Sequence, residues 1–298
     1  STTRGSPEAA ARAAIVRSDG SEIIILRDGS TITGALDLND GADVVTLESG
    51  AIVNGDILLG AGDDQLTLEI GATLTGEIDL GAGDDTLTLE DNADYTGTVF
   101  AAGDGNDTIV LEGSDGGGST FHGNIDLGNS DVPTDANERN VLTLGQGSFL
   151  DGSVTGGLND DFIDVGVDAR IGGAILLGNG DNLVETSERS PLTAHIRADS
   201  GIDVINLRDG STTTGDINLS GGSDSITIES GATLNGNIDL GADADAFTLE
   251  NGAAYTGNVD AGNGNDTVIL RGGVGVGSTL HGNILLGNSD TPTGANER

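Results

Sequence analysis

Residues 73–89 read TLTGEIDLGAGDDTLTL. Leu74, Gly76, Ile78 and Leu80 alternate with Thr73, Thr75, Glu77 and Asp79, the period of two that marks a half-buried strand. A turn over Gly81–Asp85 follows, and then Leu87 and Leu89 alternate with Thr86 and Thr88. The unit therefore reads as two strands joined by a glycine-rich turn.

The same unit recurs along the chain. Gly34, Gly55, Gly76 and Gly97 each open an apolar step and lie 21 residues apart. Asp43, Asp64 and Asp85 keep that spacing, Asp107 follows after 22, and Asp203, Asp224, Asp245 and Asp266 resume it. The inward positions stay aliphatic: Val53, Ile57, Leu59, Leu66 and Leu68 early, Leu234, Ile238, Leu240, Phe247 and Leu249 late. Tyr95, Phe121 and Tyr255 fall on the Leu74 position, which assigns them to the core.

A period of this length without a helical pattern is best satisfied by parallel stacking, each rung ~4.8 Å above the last with its aliphatic side chains in ladders. The expected fold is an all-β parallel β-solenoid of about twelve rungs of 21 residues, a rod on the order of 55–60 Å long. We assign residues 20–298 to one continuous solenoid and residues 1–19 to an N-terminal arm. The EAAARAAIVR stretch of the arm fits either a short helix or a disordered segment.

A larger duplication overlies the rungs. Residues 113–139 recur at 272–298, an offset of 159, whereas the Leu26-Arg27-Asp28-Gly29-Ser30 stretch recurs from Leu207 at an offset of 181. The difference is one rung, which a quasi-one-dimensional stack can gain or lose. Between 128 and 202 the pattern loosens, and 128–140 and 185–193 read as polar inserts protruding from the solenoid.

Composition limits the partners. The chain has 49 acidic against 11 basic residues, all Arg, and a formal charge of −38. Such a surface repels nucleic acid and anionic membranes and attracts divalent cations. No apolar run approaches the ~20 residues of a membrane span. With no Cys in the sequence, stability must come from stacking or from metal.

The distinctive motif is a Gly-x-Gly-x-Asp turn. It occurs as Gly60, Gly62 and Asp64; Gly81, Gly83 and Asp85; Gly103, Gly105 and Asp107; and Gly262, Gly264 and Asp266. Degraded forms end on Asp43, Asp224 and Asp245. These turns resemble the nonapeptide repeats of repeats-in-toxin proteins. That resemblance implies Ca²⁺ held between coils by turn carbonyls and by Asp64, Asp85, Asp107, Asp224, Asp245 and Asp266. Here only one edge of each rung carries the motif, where that family uses both.

An independent electrostatic consideration points to cations. Stacked Asp side chains ~4.8 Å apart repel by about 1 kcal/mol per neighbour even in water, and interleaved cations remove that cost. The alternative is that the carboxylates fan into solvent and accept backbone N–H bonds.

In rung length and composition the chain also resembles the β-helical passenger regions of bacterial adhesins and autotransporters. The resemblance implies a secreted or cell-surface structural or adhesive module, a component of a filament or biofilm matrix. Self-association is a further expectation: Ile23, Ile24, Ile25 and Leu26 would complete the open end of another copy head to tail, unless the chain simply begins mid-rung. Two other classes compete. A β-helical polysaccharide-active enzyme would need clustered acids and bases with aromatic platforms, and this sequence has no Lys or Trp. An ice- or mineral-binding solenoid would use an outward rank formed by Thr46, Thr67, Thr88, Thr227 and Thr248.

Overall fold

A computed structural model of the chain describes residues 2–4, 10–12, 15–16, 20–97, 100–128, 139–272 and 277–287. It is an all-β parallel solenoid of about twelve turns. Each coil has three sides. In one coil these are Gln65–Leu68, Thr73–Thr75 and Ile78–Asp79, followed by the Gly81–Asp85 turn into Thr86–Leu89 of the next coil. Among the described residues, sheet 1 stacks 13 strands from Thr2–Arg4 to Thr267–Leu270, and sheet 3 stacks 13 from Ile15–Val16 to Ile284–Leu285. Sheet 2 is divided into stacks of eight and five strands. No helix among the described residues is long and apolar enough to cross a membrane.

The alternation over 73–80 is one run in sequence but two strands in space, because the chain turns a corner at Gly76. A Cβ there would lie 2.3 Å from the carbonyl oxygen of Gly55 in the coil before, so the corner closes only around hydrogen. The inward set is unaffected by the bend: Leu74, Ile78, Leu80, Leu87 and Leu89 are all buried. A register of 21 relates most neighbouring coils, as in Leu66 paired with Leu87 and Val45, and extra residues lengthen the step elsewhere, to 22 between Thr86 and Thr108 and 33 between Thr108 and Val141. The aromatics expected inside are inside. Tyr95 packs on Phe121 with ring centroids 4.3 Å apart, and Phe247 on Tyr255 at 5.5 Å.

Besides the two-strand unit, which is three-sided, three further expectations need correction. The N-terminal segment is neither helix nor free arm where it is described. Thr2–Arg4 pairs with Ile23–Ile25, Ala10–Arg12 with Thr31–Thr33, and Ile15–Val16 with Leu36–Asp37, all parallel. An open sheet edge offers its unpaired N–H and C=O groups to any strand that reaches it in register, and this overrides a weak local helix preference.

Consequently Ile23, Ile24, Ile25 and Leu26 are not a free end. They lie between Thr2–Arg4 and Val44–Leu47, with Ile24 and Leu26 in the core. Finally, 185–193 is not an insert. Leu183–Thr186 and Pro191–Leu192 occupy regular places in sheets 1 and 2. Pro191 has no N–H to give Ala169, as Arg170 gives Ser148 and Thr212 gives Ser190, and sheet 2 divides there. Of the insert expected at 128–140, residues 129–138 lie outside the described residues.

The corner and the turn after sheet 1 make different demands on glycine. Gly71, at φ +72, has open space where a Cβ would go, and Asn92 fills the matching place in the next coil at φ 59. Gly76→Ala is expected to cost about 3 kcal/mol or more through the clash with Gly55, whereas Gly71→Asn costs less than about 1 kcal/mol. Urea denaturation followed by circular dichroism measures both, and equal costs would contradict this reading of the corner.

Candidate metal centre

The Gly-x-Gly-x-Asp turns join sheet 3 to sheet 1 and stack directly upon one another. Ala61, Ala82 and Asp104 form a parallel ladder of bridges through successive turns. The ladder occupies two carbonyls per turn: Gly60 O accepts the N–H of Ala82 at 2.8 Å, and Ala82 O accepts that of Gly62 at 2.7 Å. The second glycine's carbonyl, as in Gly62 and Gly83, takes no part in it. A Cβ on Gly83 would lie 2.1 Å from Gly62 O, and one on Gly264 would lie 2.9 Å from the carboxylate of Asp266. The degraded turns keep the same backbone: Asn39 and Ser220 stand at φ 63 where the others have glycine.

The Asp that ends each turn enters the protein. Asp43, Asp64, Asp85, Asp107, Asp203, Asp224 and Asp245 are at most 2% exposed, and together with half-buried Asp266 they line up along the rod. Each uses one oxygen to reach the coil before it. Asp64 Oδ1 accepts the N–H of Asp43 at 2.6 Å, Asp85 Oδ1 that of Asp64 at 2.8 Å, and Asp107 Oδ1 that of Asp85 at 3.0 Å. The same bond runs from Asp203 to Asp224, from Asp224 to Asp245 and from Asp245 to Asp266, at 2.9, 2.8 and 3.1 Å. The second oxygen has no such partner: Oδ2 of all eight is buried without a hydrogen bond.

The column carboxylates do not fan into solvent; their sequence neighbours do. Asp63 and Asp84 are the exposed ones, accepting the N–H groups of Asp84 and Asn106 at 3.1 and 3.0 Å. The column beside them is desolvated. Burial pushes the carboxyl of Asp64 up to about 6, Asp85 up to about 8, Asp107 and Asp224 up to about 7, and Asp203 and Asp245 up to about 6, against the lowering by the accepted N–H bond. Leaving a buried acceptor unsatisfied costs about 1–3 kcal/mol, and more when it is charged. Repeated along the rod, that cost calls for either protons or cations.

The residues fit a hard cation. Carboxylate Oδ2 atoms and the second-glycine carbonyls are oxygen donors of the type Ca²⁺ takes. Among the described residues no three His, Cys, Asp or Glu side chains gather at one point. A cation here would instead lie between coils, held by one carboxylate from each and by carbonyls.

Of the expected ligands, Asp64, Asp85, Asp107, Asp224, Asp245 and Asp266 all stand in this column, with Gly60, Gly62, Gly81, Gly83, Gly103, Gly105, Gly262 and Gly264 in the turns above and below. The column also holds Asp43, at a degraded turn, and Glu22, Asn140, Asp161, Asn182 and Asp203, which the motif did not pick out. Asp203 showed in the 21-residue spacing alone. Asn140, Asp161 and Asn182 were hidden because 33 residues separate Asp107 from Asn140.

Because the column carboxyls hold protons to higher pH in the folded chain than near 3.8 in the unfolded one, the folded chain binds more protons between pH 4 and about 8. In a calcium chelator, stability is full below pH 4 and falls as pH rises through that window. Asp85→Asn keeps the acceptor and adds a donor, so at pH 8 in chelator it should stabilise by about 1–3 kcal/mol. Thermal melts across pH test both, and a chelated chain whose stability rises from pH 5 to 8 would contradict the assignment.

No family model and no curated protein matches the chain. Among solved structures it is similar to a hyperactive, Ca²⁺-dependent, β-helical antifreeze protein from an Antarctic bacterium, at 18% identity and a TM-score of 0.53, over 98% of this chain and 84% of that one. At this identity the likeness is one of fold.

Proposed function

We propose that the chain is a calcium-stabilised structural rod that works outside the cell, as a spacer or adhesive element of a bacterial surface or matrix. The observation that carries this reading is the column of buried Asp side chains, each with one oxygen anchored and the other without a partner. The −38 charge, the aliphatic ladders and the likeness to a Ca²⁺-dependent β-helix support it. Calcium modules outside the cell work at dissociation constants of about 10⁻⁴–10⁻³ M, so sites with few carboxylates suffice there. Head-to-tail association through Ile23–Leu26 is left out of this proposal, because Thr2–Arg4 already pairs with Ile23–Ile25 on the side away from Val44–Leu47.

Calcium titration of the chelated chain at pH 7.5, followed by circular dichroism and thermal melting, tests the proposal. Several sites filled well above their dissociation constants should raise the melting temperature by more than about 10 °C, with Mg²⁺ much weaker. A melting curve indifferent to calcium would overturn the calcium reading.

Ice binding is a second reading, favoured by Thr46, Thr67 and Thr88 standing in register on adjacent strands of sheet 1. The rank is broken in the middle: Val110 interrupts it before Thr143, Asp164, Glu185 and Asn206 follow, and Thr227 and Thr248 resume it. We expect no thermal hysteresis from the calcium-loaded chain. A measurable freezing-point gap that Thr67→Lys abolishes would establish ice binding instead.

A further inference from the structure

The column is not uniform. Read along the rod it runs Glu22, Asp43, Asp64, Asp85, Asp107, Asn140, Asp161, Asn182, Asp203, Asp224, Asp245, Asp266, each accepting from or donating to its neighbour. The four gaps from Glu22 to Asp107 and the three from Asp203 to Asp266 have a carboxylate on both coils. The four gaps between Asp107 and Asp203 have a carboxylate on one coil and an amide on the other.

The amides take up the groups that are left over elsewhere. Asn140 Oδ1 accepts the N–H of Asp107 at 3.0 Å, as an Asp would, while its Nδ2 donates to Asp161 Oδ1 at 3.2 Å. Asn182 goes further. Its Oδ1 accepts the N–H of Asp161 at 2.9 Å, and its Nδ2 donates to Asp203 Oδ1 at 2.8 Å. The same Nδ2 lies 3.1 Å from the carbonyl oxygen of Gly180. Gly180 is two residues before Asn182, as Gly62 is before Asp64, so the amide occupies the carbonyl that stays outside the ladder in the acidic turns. Neither Asn140 nor Asn182 leaves a buried polar atom unpartnered, whereas every buried Asp of the column does.

We propose that cation binding along the rod is interrupted: two separate arrays, Glu22–Asp107 and Asp203–Asp266, flank a central section in which the Asn140 and Asn182 amides stand in place of the metal. A cation in the centre would meet N–H donors pointed at the same carboxylates, with half the compensating charge. Asp161, with one oxygen still unpartnered, is isolated between the two amides. The centre then holds together without calcium and joins two ends that need it. This inference rests on the calcium reading above.

Hydrogen exchange of the intact chain, with mass-spectrometric readout in chelator and in calcium chloride, separates the two. Calcium should slow exchange in strands 65–111 and 225–249 by about tenfold or more, and change strands 160–165 and 183–186 by less than about twofold. If calcium protects the centre as much as the flanks, the interruption is wrong while the calcium reading stands. If it protects nothing, both fall. Asn182→Asp supplies an independent arm, with Asn140→Asp as the second variant should the first not fold. Each should melt lower than the parent chain in chelator, recover with calcium, and carry more calcium per chain by native mass spectrometry. A variant that binds no more calcium than the parent chain would overturn the interruption.

Discussion

One hydrogen bond, repeated in ten of the eleven steps of the column, organises this molecule: a side-chain oxygen accepts the backbone N–H of the equivalent residue in the coil before, and only between Asn140 and Asp161 is the donor a side-chain amide. In a parallel stack the strands already satisfy most backbone groups, but the turn between sheets 3 and 1 bends away from the ladder at that N–H. The Asp or Asn side chain closes the gap and fixes one coil over the next at a register of 21 residues. A carboxylate that does this from inside the protein has a second oxygen to place. The acidic turns leave it bare, and the Asn turns replace it with a donor. The chemistry of the rod follows from which of the two a coil carries.

The glycines act in support of that bond. In the turn, the absence of Cβ at Gly83 lets it lie against Gly62 O, and at Gly264 it makes room beside the Asp266 carboxylate. At the Gly76 corner the same absence lets coils stack at contact distance. Where side chains do appear at the turn, as at Asn39 and Ser220, the backbone remains at positive φ, at a cost of order 1–2 kcal/mol each. The stack supplies enough ladder bonds to tolerate these departures, and so the duplicated block can shed a rung without losing the fold.

Much of this was legible in the residues. Alternation at Leu74, Ile78, Leu80, Leu87 and Leu89 identified the inward face, and the spacing of Asp64, Asp85 and Asp107 identified the column. Less legible was the third side of the coil, because alternation runs through Gly76 unbroken and only the close approach of Gly55 reveals a corner. The N-terminal coil was masked by helix-favouring Ala residues whose placement is decided by a distant sheet edge. Asn140 and Asn182 were missed for two reasons: a search for carboxylates passes over amides, and extra residues between Asp107 and Asn140 hide the register. Pro191 looked like part of a loop, yet it sits within sheet 2 and divides it.

The central claim is that cations occupy the gaps between column carboxylates and not those bordered by an amide. Anomalous scattering from crystals of the chain grown in calcium, recorded near an energy where calcium contributes, locates them directly. Peaks should fall beside the column from Glu22 to Asp107 and again from Asp203 to Asp266, with none in the four gaps between Asp107 and Asp203. A column without peaks, or an unbroken line of them through the Asn coils, would contradict the account.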